Sequence, residues 1–564
     1  MKYILPLLLI FVQPLHAMTL FVAKNIITLE TSQANVESIL IEDNLIVDLG
    51  QADELISRYG LTENDINRQF SEQIIVPGFI NQHEHPWLSA LSLSTEVIAI
   101  EDWNFGGRYF PKATSQETYR KRLAETIANF DTAKGTLFSW GYHELWHGKL
   151  NRAILDELTQ SLPVVVWQRS IHEFYFNSKA LQHFGINEQS ISKLPASALS
   201  QIDLQNGHFY EQGAIAVLPF IIREIAEPKR YIGALQQFES YLHDAGSTLL
   251  VEPGAMTYPQ LFEAQFNVLG KESSPLRADY SVDGRSLFLA KGSKALAEVD
   301  AIIAAKKSVN SRFYPKQIKL FADGAIFSQL MQMRDGYLDG HSGEWLMDPE
   351  SLSEAFKLFW DAGYQIHIHQ NGDLGIDKIL DIVEQNMARH PREDHRTVLV
   401  HFGFSDKDQL QRIKNLGVIV SANPYYLSAL GEKYSHFGIG PIRAKDMVRL
   451  GDLQREGISY SLHADMPMAP GQPLFLMWSA VNRIGDSGQV IGPDQRISPE
   501  QALKAVTLDA AYSMQLEVER GSLAKGKLAN MTVLAENPLT VDPLHIKDIK
   551  VVATINEGSV YSLP

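Results

Sequence analysis

The segment Val76-Pro77-Gly78-Phe79-Ile80-Asn81-Gln82-His83-Glu84-His85-Pro86 ends an apolar run in two histidines spaced i, i+2. Side chains on a strand alternate faces, so His83 and His85 point the same way. Two imidazoles side by side at the end of a buried strand make half a metal site. Other residues able to complete it recur along the chain. Lys319 lies in an apolar run, His367 and His369 close another, His401 closes a third, and His463 and Asp465 follow a fourth. Each is commonplace alone. A lysine in a strand snorkels to solvent, and an aspartate after a strand caps a turn. Their coincidence at one end of several predicted strands is the signal. Basic side chains crowded into one buried mouth are costly without counter-charge. A divalent metal held by neutral imidazoles, with Asp465 beside it, removes that cost. His367 and His369 face the same way by alternation, so either can serve.

These residues need elements to position them. Candidate strands are Ile75–Ile80, Thr248–Glu252, Leu276–Val282, Gln317–Phe321, Tyr364–His369, Thr397–His401, Val418–Ala422 and Ser459–His463. Each is apolar and followed by loop or helical sequence, the pattern of an α/β fold. Eight such units are what a (β/α)8 TIM barrel needs, and active sites of such barrels sit at the C-terminal strand ends. Residues 100–235 read as a long insertion after strand 1. It is rich in aromatics, among them Trp103, Trp140, Tyr142, Trp146 and Trp167. Trp140, Tyr142 and Trp146 are read as insertion core near the barrel mouth. Short strands separated by turn residues fill 18–75 and recur after 515, punctuated by Gly526 and Asn537-Pro538. The two ends are expected to form one small composite β-sandwich domain (18–75 plus 515–564), beside a barrel over 76–514.

The chain has 564 residues, and its 45% apolar content suffices for a large core. A formal charge of −16 argues against nucleic acid or an anionic membrane surface as partner. There is no cysteine, which excludes disulfides, iron–sulfur clusters and thiol nucleophiles, so a metal must take His, Asp, Glu or Lys-derived ligands. Residues 1–17 read as a signal peptide: Lys2, an apolar core from Ile4 to Val12, and a small residue, Ala17, for cleavage. The expected location is periplasmic or secreted, in a bacterial setting. No membrane anchoring is expected after cleavage.

Several segments resemble the metal-dependent amidohydrolase superfamily, specifically its amidohydrolase-3 (YtcJ-like) family. Residues 77–86 are similar to its opening PGFID-x-H-x-H-P. Ile318-Lys319-Leu320-Phe321-Ala322-Asp323-Gly324 is similar to K-x-F-x-D-G, and His369-Gln370-Asn371-Gly372-Asp373 to H-A-x-G-D. Val400-His401 matches a strand-end histidine and Ala464-Asp465-Met466-Pro467 matches S-D-x-P. Residues 521–530 resemble the closing GS-x-x-x-GK-x-AD. The resemblance implies one or two divalent metals, zinc first with Mn, Fe or Co as substitutes. His83 and His85 would hold one and His369 and His401 the second, with Lys319 bridging after carboxylation. Asp465 would bind metal and act as general base, and the motif favours His369 over His367. Residues 168–181 and 207–211 resemble the family's pocket segments. His172 and Glu211 are therefore substrate-binding candidates, together with Asp323 and His463. The implied activity is hydrolysis of a C–N bond in an amide, N-formyl, N-acyl or cyclic imide small molecule. Deamination, lactone opening and a non-catalytic regulatory role are the alternatives on the same scaffold, and a homodimer is a possible state. Asn81 stands where the family has Asp, His463 replaces a small residue, and Asn530 replaces the closing Asp.

Overall fold

The structure is a computed structural model that describes residues 18–31, 33–255, 259–305 and 308–563. The expected signal peptide, 1–17, lies outside the described residues. Among them, no helix is long and apolar enough to cross a membrane.

Eight strands form one parallel sheet: Phe79–Asn81, Ser247–Ala255, Arg277–Asp283, Phe313–Phe321, Gln365–Gln370, Val398–His401, Ile419–Ala422 and Tyr460–Leu462. Each pairs with its successor in the chain, the order that strand–helix–strand units produce. Helices such as Asp373–Arg389 and Gln409–Asn415 fill the connections. Ser247–Ala255 and Gln365–Gln370 are buried along their whole length, as strands covered on both faces must be. The sheet curls until its ends meet. After the eighth strand, Asp465 N donates to His83 O at 3.1 Å, and His85 N donates to Met466 O at 3.3 Å. This architecture fits a TIM-like barrel.

The first strand is shorter than the sequence suggests. The apolar run breaks at Gly78, where a Cβ would stand 2.3 Å from Thr248 Oγ1. Residues Ile66–Pro77 belong instead to a seven-stranded sheet in the order Ser559–Ser562, Val551–Asn556, Met531–Leu534, Ile66–Pro77, Met18–Ile27, Asn35–Glu42, Leu45–Gly50. Both ends of the chain meet there: Thr532 lies opposite Val76 and Met531 opposite Pro77. Phe21, Ile39, Ile75, Met531, Val533 and Ile555 share one core. The helix Ala52–Tyr59 covers Leu20 and Leu40 on the other side. Between the first and second strands of the parallel sheet, the chain builds a separate six-stranded sheet from Glu96–Val97 to His208–Tyr210. Trp140 and Tyr142 are buried in its strand Leu137–Tyr142, and Trp146 in the helix Glu144–His147 that follows.

Candidate metal centre

Register sets the site. Asp283 lies opposite Lys319, Lys319 opposite His367, Phe321 opposite His369, and Gln370 opposite His401. The strand ends therefore deliver their polar side chains to one end of the sheet. Ligand atoms of His83, His401 and Asp465 lie within 4.8 Å of one another, all buried. The Asp465 carboxylate is 3.4 Å from His83 Nε2, 3.2 Å from His85 Nε2 and 3.7 Å from His401 Nδ1. The His369 ring packs on His401 with centroids 4.5 Å apart. His401 and Asp465 take φ of 84° and 59°. Such left-handed backbone costs of order 1–3 kcal/mol at a non-glycine residue. The closing bond from Asp465 N to His83 O, and that from Asn423 N to His401 O, hold both turns.

Burial sets the protonation. His83, His369, His401 and His463 are held well below the ordinary imidazole range, first by burial and then by neighbouring cations, Lys319 or a second histidine. They are neutral and hence able to ligate. Burial also pushes Lys319 down to about 7 against the pull of Asp465 and Asp283. Its Nζ has no hydrogen-bond partner. A buried amine with nothing to bond is expensive unless something else occupies the site. Neutral imidazoles, one carboxylate and an orphaned amine suit a divalent transition metal such as zinc. The residues fit the group that the chemistry implies.

Of the other expected residues, His172 Nδ1 pairs with Glu211 Oε2 at 2.7 Å, and both line the cavity over the cluster. His369 lines it too, whereas His367 lies outside the lining, beside Lys319 in the sheet. His367 is pushed down to about 3 by burial and then by Lys319. Two residues are placed differently from the expectation. His463 does not reach the cavity. Its Nε2 meets His401 Nδ1 at 3.1 Å and its Nδ1 meets Ser421 Oγ at 2.8 Å, so it stands behind a candidate ligand. Gln82 extends this buried network, donating to Ser421 and Ser461. Asp323 also turns away. Its carboxylate accepts the backbone N–H groups of Gln332, Asn371 and Gly372 at 2.8–2.9 Å, fixing the loop that follows His369.

Four residues escaped the sequence. Glu252, three residues before the end of the second strand, lies 3.7 Å from His85 Nδ1 and accepts a bond from Gln265. Glu84 joins Asn81 to Met466 N through its two carboxylate oxygens. Asn371 contacts His369 Nε2 at 3.1 Å. Arg285, two residues past the third strand, lines the cavity. Glu252 carried a legible signal, since it is an ionisable residue closing a predicted strand, and Arg285 follows another predicted strand by three residues. The remaining walls are apolar: Trp87, Trp167, Phe174, Leu218, Phe321, Ile326, Phe327, Tyr426 and Met468 among them.

A family model described as "Amidohydrolase family" matches residues 73–561. The N-substituted formamide deformylase of Arthrobacter pascens is 23% identical over 549 residues, covering 95% of this chain and 96% of that one. A metal-dependent hydrolase of uncharacterised function from Pyrococcus horikoshii superposes with a TM-score of 0.70 at 20% identity, over 94% of this chain and 99% of that one. A variant of the atrazine chlorohydrolase of Arthrobacter aurescens, crystallised with zinc and atraton, gives a TM-score of 0.51 at 14% identity, over 96% and 94%.

Proposed function

We propose a function from one premise: the chain belongs to the amidohydrolase family and is a hydrolase acting on C–N bonds. Its substrate is read as a small amide, N-formyl, N-acyl or cyclic imide compound. The observation that carries this is the buried convergence of His83, His401 and Asp465, with His85, His369 and the unpartnered Lys319 around it, under an apolar cavity. The similarity to a formamide deformylase supports the choice of bond.

His83, His85, His369, His401 and Asp465 would hold one or two divalent ions, zinc first. When bound, such an ion supplies Lewis acidity, lowering the pKa of water and polarising the scissile carbonyl. Asp465 accepts the proton of the attacking water on a carboxylate oxygen and returns it to the departing amine nitrogen. The apolar walls exclude bulk water and orient the substrate's hydrocarbon part. Neutral Lys319 is suited to attack carbon dioxide, forming an N–C bond and losing a proton, which would convert an amine into an anionic oxygen donor able to help hold the metal. We read the six-stranded sheet as the insertion, the seven-stranded sheet as the sandwich domain, and residues 1–17 as a cleaved export signal.

The test is a panel of N-formyl amines, N-acyl amino acids, cyclic imides and lactones, assayed with zinc or manganese. Metal-dependent release of amine is expected. Asp465→Asn should lower kcat by roughly 100- to 10,000-fold. His83→Ala combined with His85→Ala should lower bound metal by elemental analysis. Unchanged metal stoichiometry, or turnover of lactones alone, would sink the reading.

A further inference from the structure

Arg285 is a buried cation that the chemistry above leaves unused. The residue is 5% exposed and follows the cap of the helix Gly284–Lys291. Its Nε and Nη2 both donate to Leu346 O, at 3.2 and 3.1 Å. It forms no ion pair among the described residues. The two carboxylates that influence it most, Asp283 and Glu211, are engaged elsewhere. Asp283 accepts Ser286 N at 3.0 Å, and Glu211 pairs with His172 at 2.7 Å. Buried charges are ordinarily paired, so a guanidinium in this state points to a partner that arrives from outside.

Its position says what that partner is attached to. Arg285 lines the same cavity as His83 and Asp465. Its Cζ sits 5.5 Å from the Phe321 ring centroid, and Phe321 stacks on His369 at 5.5 Å. One aromatic ring thus separates the guanidinium from a candidate metal ligand. A molecule with its scissile carbonyl at the histidine cluster shares one cavity with Arg285, which can take a second polar group of that molecule. The planar guanidinium, its Nε–Nη2 edge fixed on Leu346, has an Nη1 with no acceptor among the described residues, and carboxylate is the group such a guanidinium recognises best. Trp167, Leu218 and Phe327 offer hydrocarbon surface to a third substituent.

We propose that Arg285 is the specificity residue for a substrate carboxylate, and that the substrates are N-formyl or N-acyl amino acids with apolar side chains. This rests on the reading of the cavity as a C–N hydrolase site. The probes are N-formyl-phenylalanine, in both enantiomers, and its decarboxylated analogue N-formyl-2-phenylethylamine. The wild-type enzyme should favour the acid in kcat/KM by roughly 10- to 100-fold, the worth of a charge-assisted hydrogen bond. Arg285→Gln should bring the ratio near one, chiefly through KM, and Arg285→Lys should retain part of it. Binding of both compounds is read in parallel by quenching of the cavity tryptophans, with metal content and Tm recorded for each variant. Equal kcat/KM for the two compounds in the wild type, or a ratio unmoved in either variant, overturns the proposal while leaving the hydrolase reading intact. If neither compound is cleaved, the proposed substrates are overturned, even where tighter binding of the acid, lost in Arg285→Gln, upholds the carboxylate site. Neither cleavage nor preferential binding of the acid overturns the proposal.

Discussion

His85 lies between two carboxylates, 3.2 Å from Asp465 and 3.7 Å from Glu252. Burial opposes its charge, yet the two carboxylates outweigh burial and hold it up at about 9. A protonated imidazole cannot ligate, so a metal entering here has to displace a proton. Metal affinity should therefore rise by roughly tenfold per pH unit between about pH 6 and pH 8. Competition with a chelator of known pH dependence measures it, and a flat profile would refute the assignment of His85. The sign reverses for the metal-free fold. A pKa raised from 6.5 contributes stability that is full below pH 6.5 and is lost as pH rises through about 9. Much of this site was legible from residue types, because a strand end presents i and i+2 to the same side. His463 stands two residues before Asp465, but Asp465 leaves the extended region at φ 59° and the two side chains diverge. Glu84 sat between the two histidines as a spacer, yet its carboxylate ties the first strand to the turn carrying Asp465.

At the scale of elements, the loops after the strands carry as much of the geometry as the strands do. Asp323 gathers three backbone N–H groups from two separate loops. Asp323→Ala leaves those buried donors without an acceptor and should cost about 3 kcal/mol or more in a urea titration. It should also lower kcat/KM, because the loop it fixes holds Asn371 against His369. Gly254 shows a tighter coupling. It takes φ +82°, and a Cβ there would stand 3.0 Å from Lys319 Cγ. Gly254→Ala should destabilise by about 1–2 kcal/mol through the backbone alone. It should also reduce metal occupancy by displacing the lysine stem, which elemental analysis reads. All eight strands of the parallel sheet were readable, since each is an apolar run bounded by turn residues. Their pairings with distant segments were not. Nothing local in Ile75–Ile80 says that Gly78 divides it between two sheets, because the reason is Thr248, far along the chain.

At the scale of the whole molecule, the seven-stranded sheet joins strands that lie at opposite ends of the sequence. Met531–Leu534 inserts between Ile66–Pro77 and Val551–Asn556. Removal of residues 530–564 would expose the edge of Ile66–Pro77 and the core around Phe21, Ile39 and Ile75. It would also remove the buried side chains of Met531, Val533 and Ile555, each contributing roughly 1.5–3 kcal/mol. That loss rivals the whole stability of an ordinary domain, of order 5–15 kcal/mol. The truncated chain should therefore be insoluble or melt far below the intact one, by circular dichroism, and should carry no activity. Joining the ends also orders events in time. During synthesis, the N-terminal strands emerge and then wait, one edge open, until more than 450 further residues have left the ribosome. The first strand of the parallel sheet is anchored through Gly78 to that same waiting edge. The first strand of the candidate site therefore gains this anchor only after the last strands of that sheet are made.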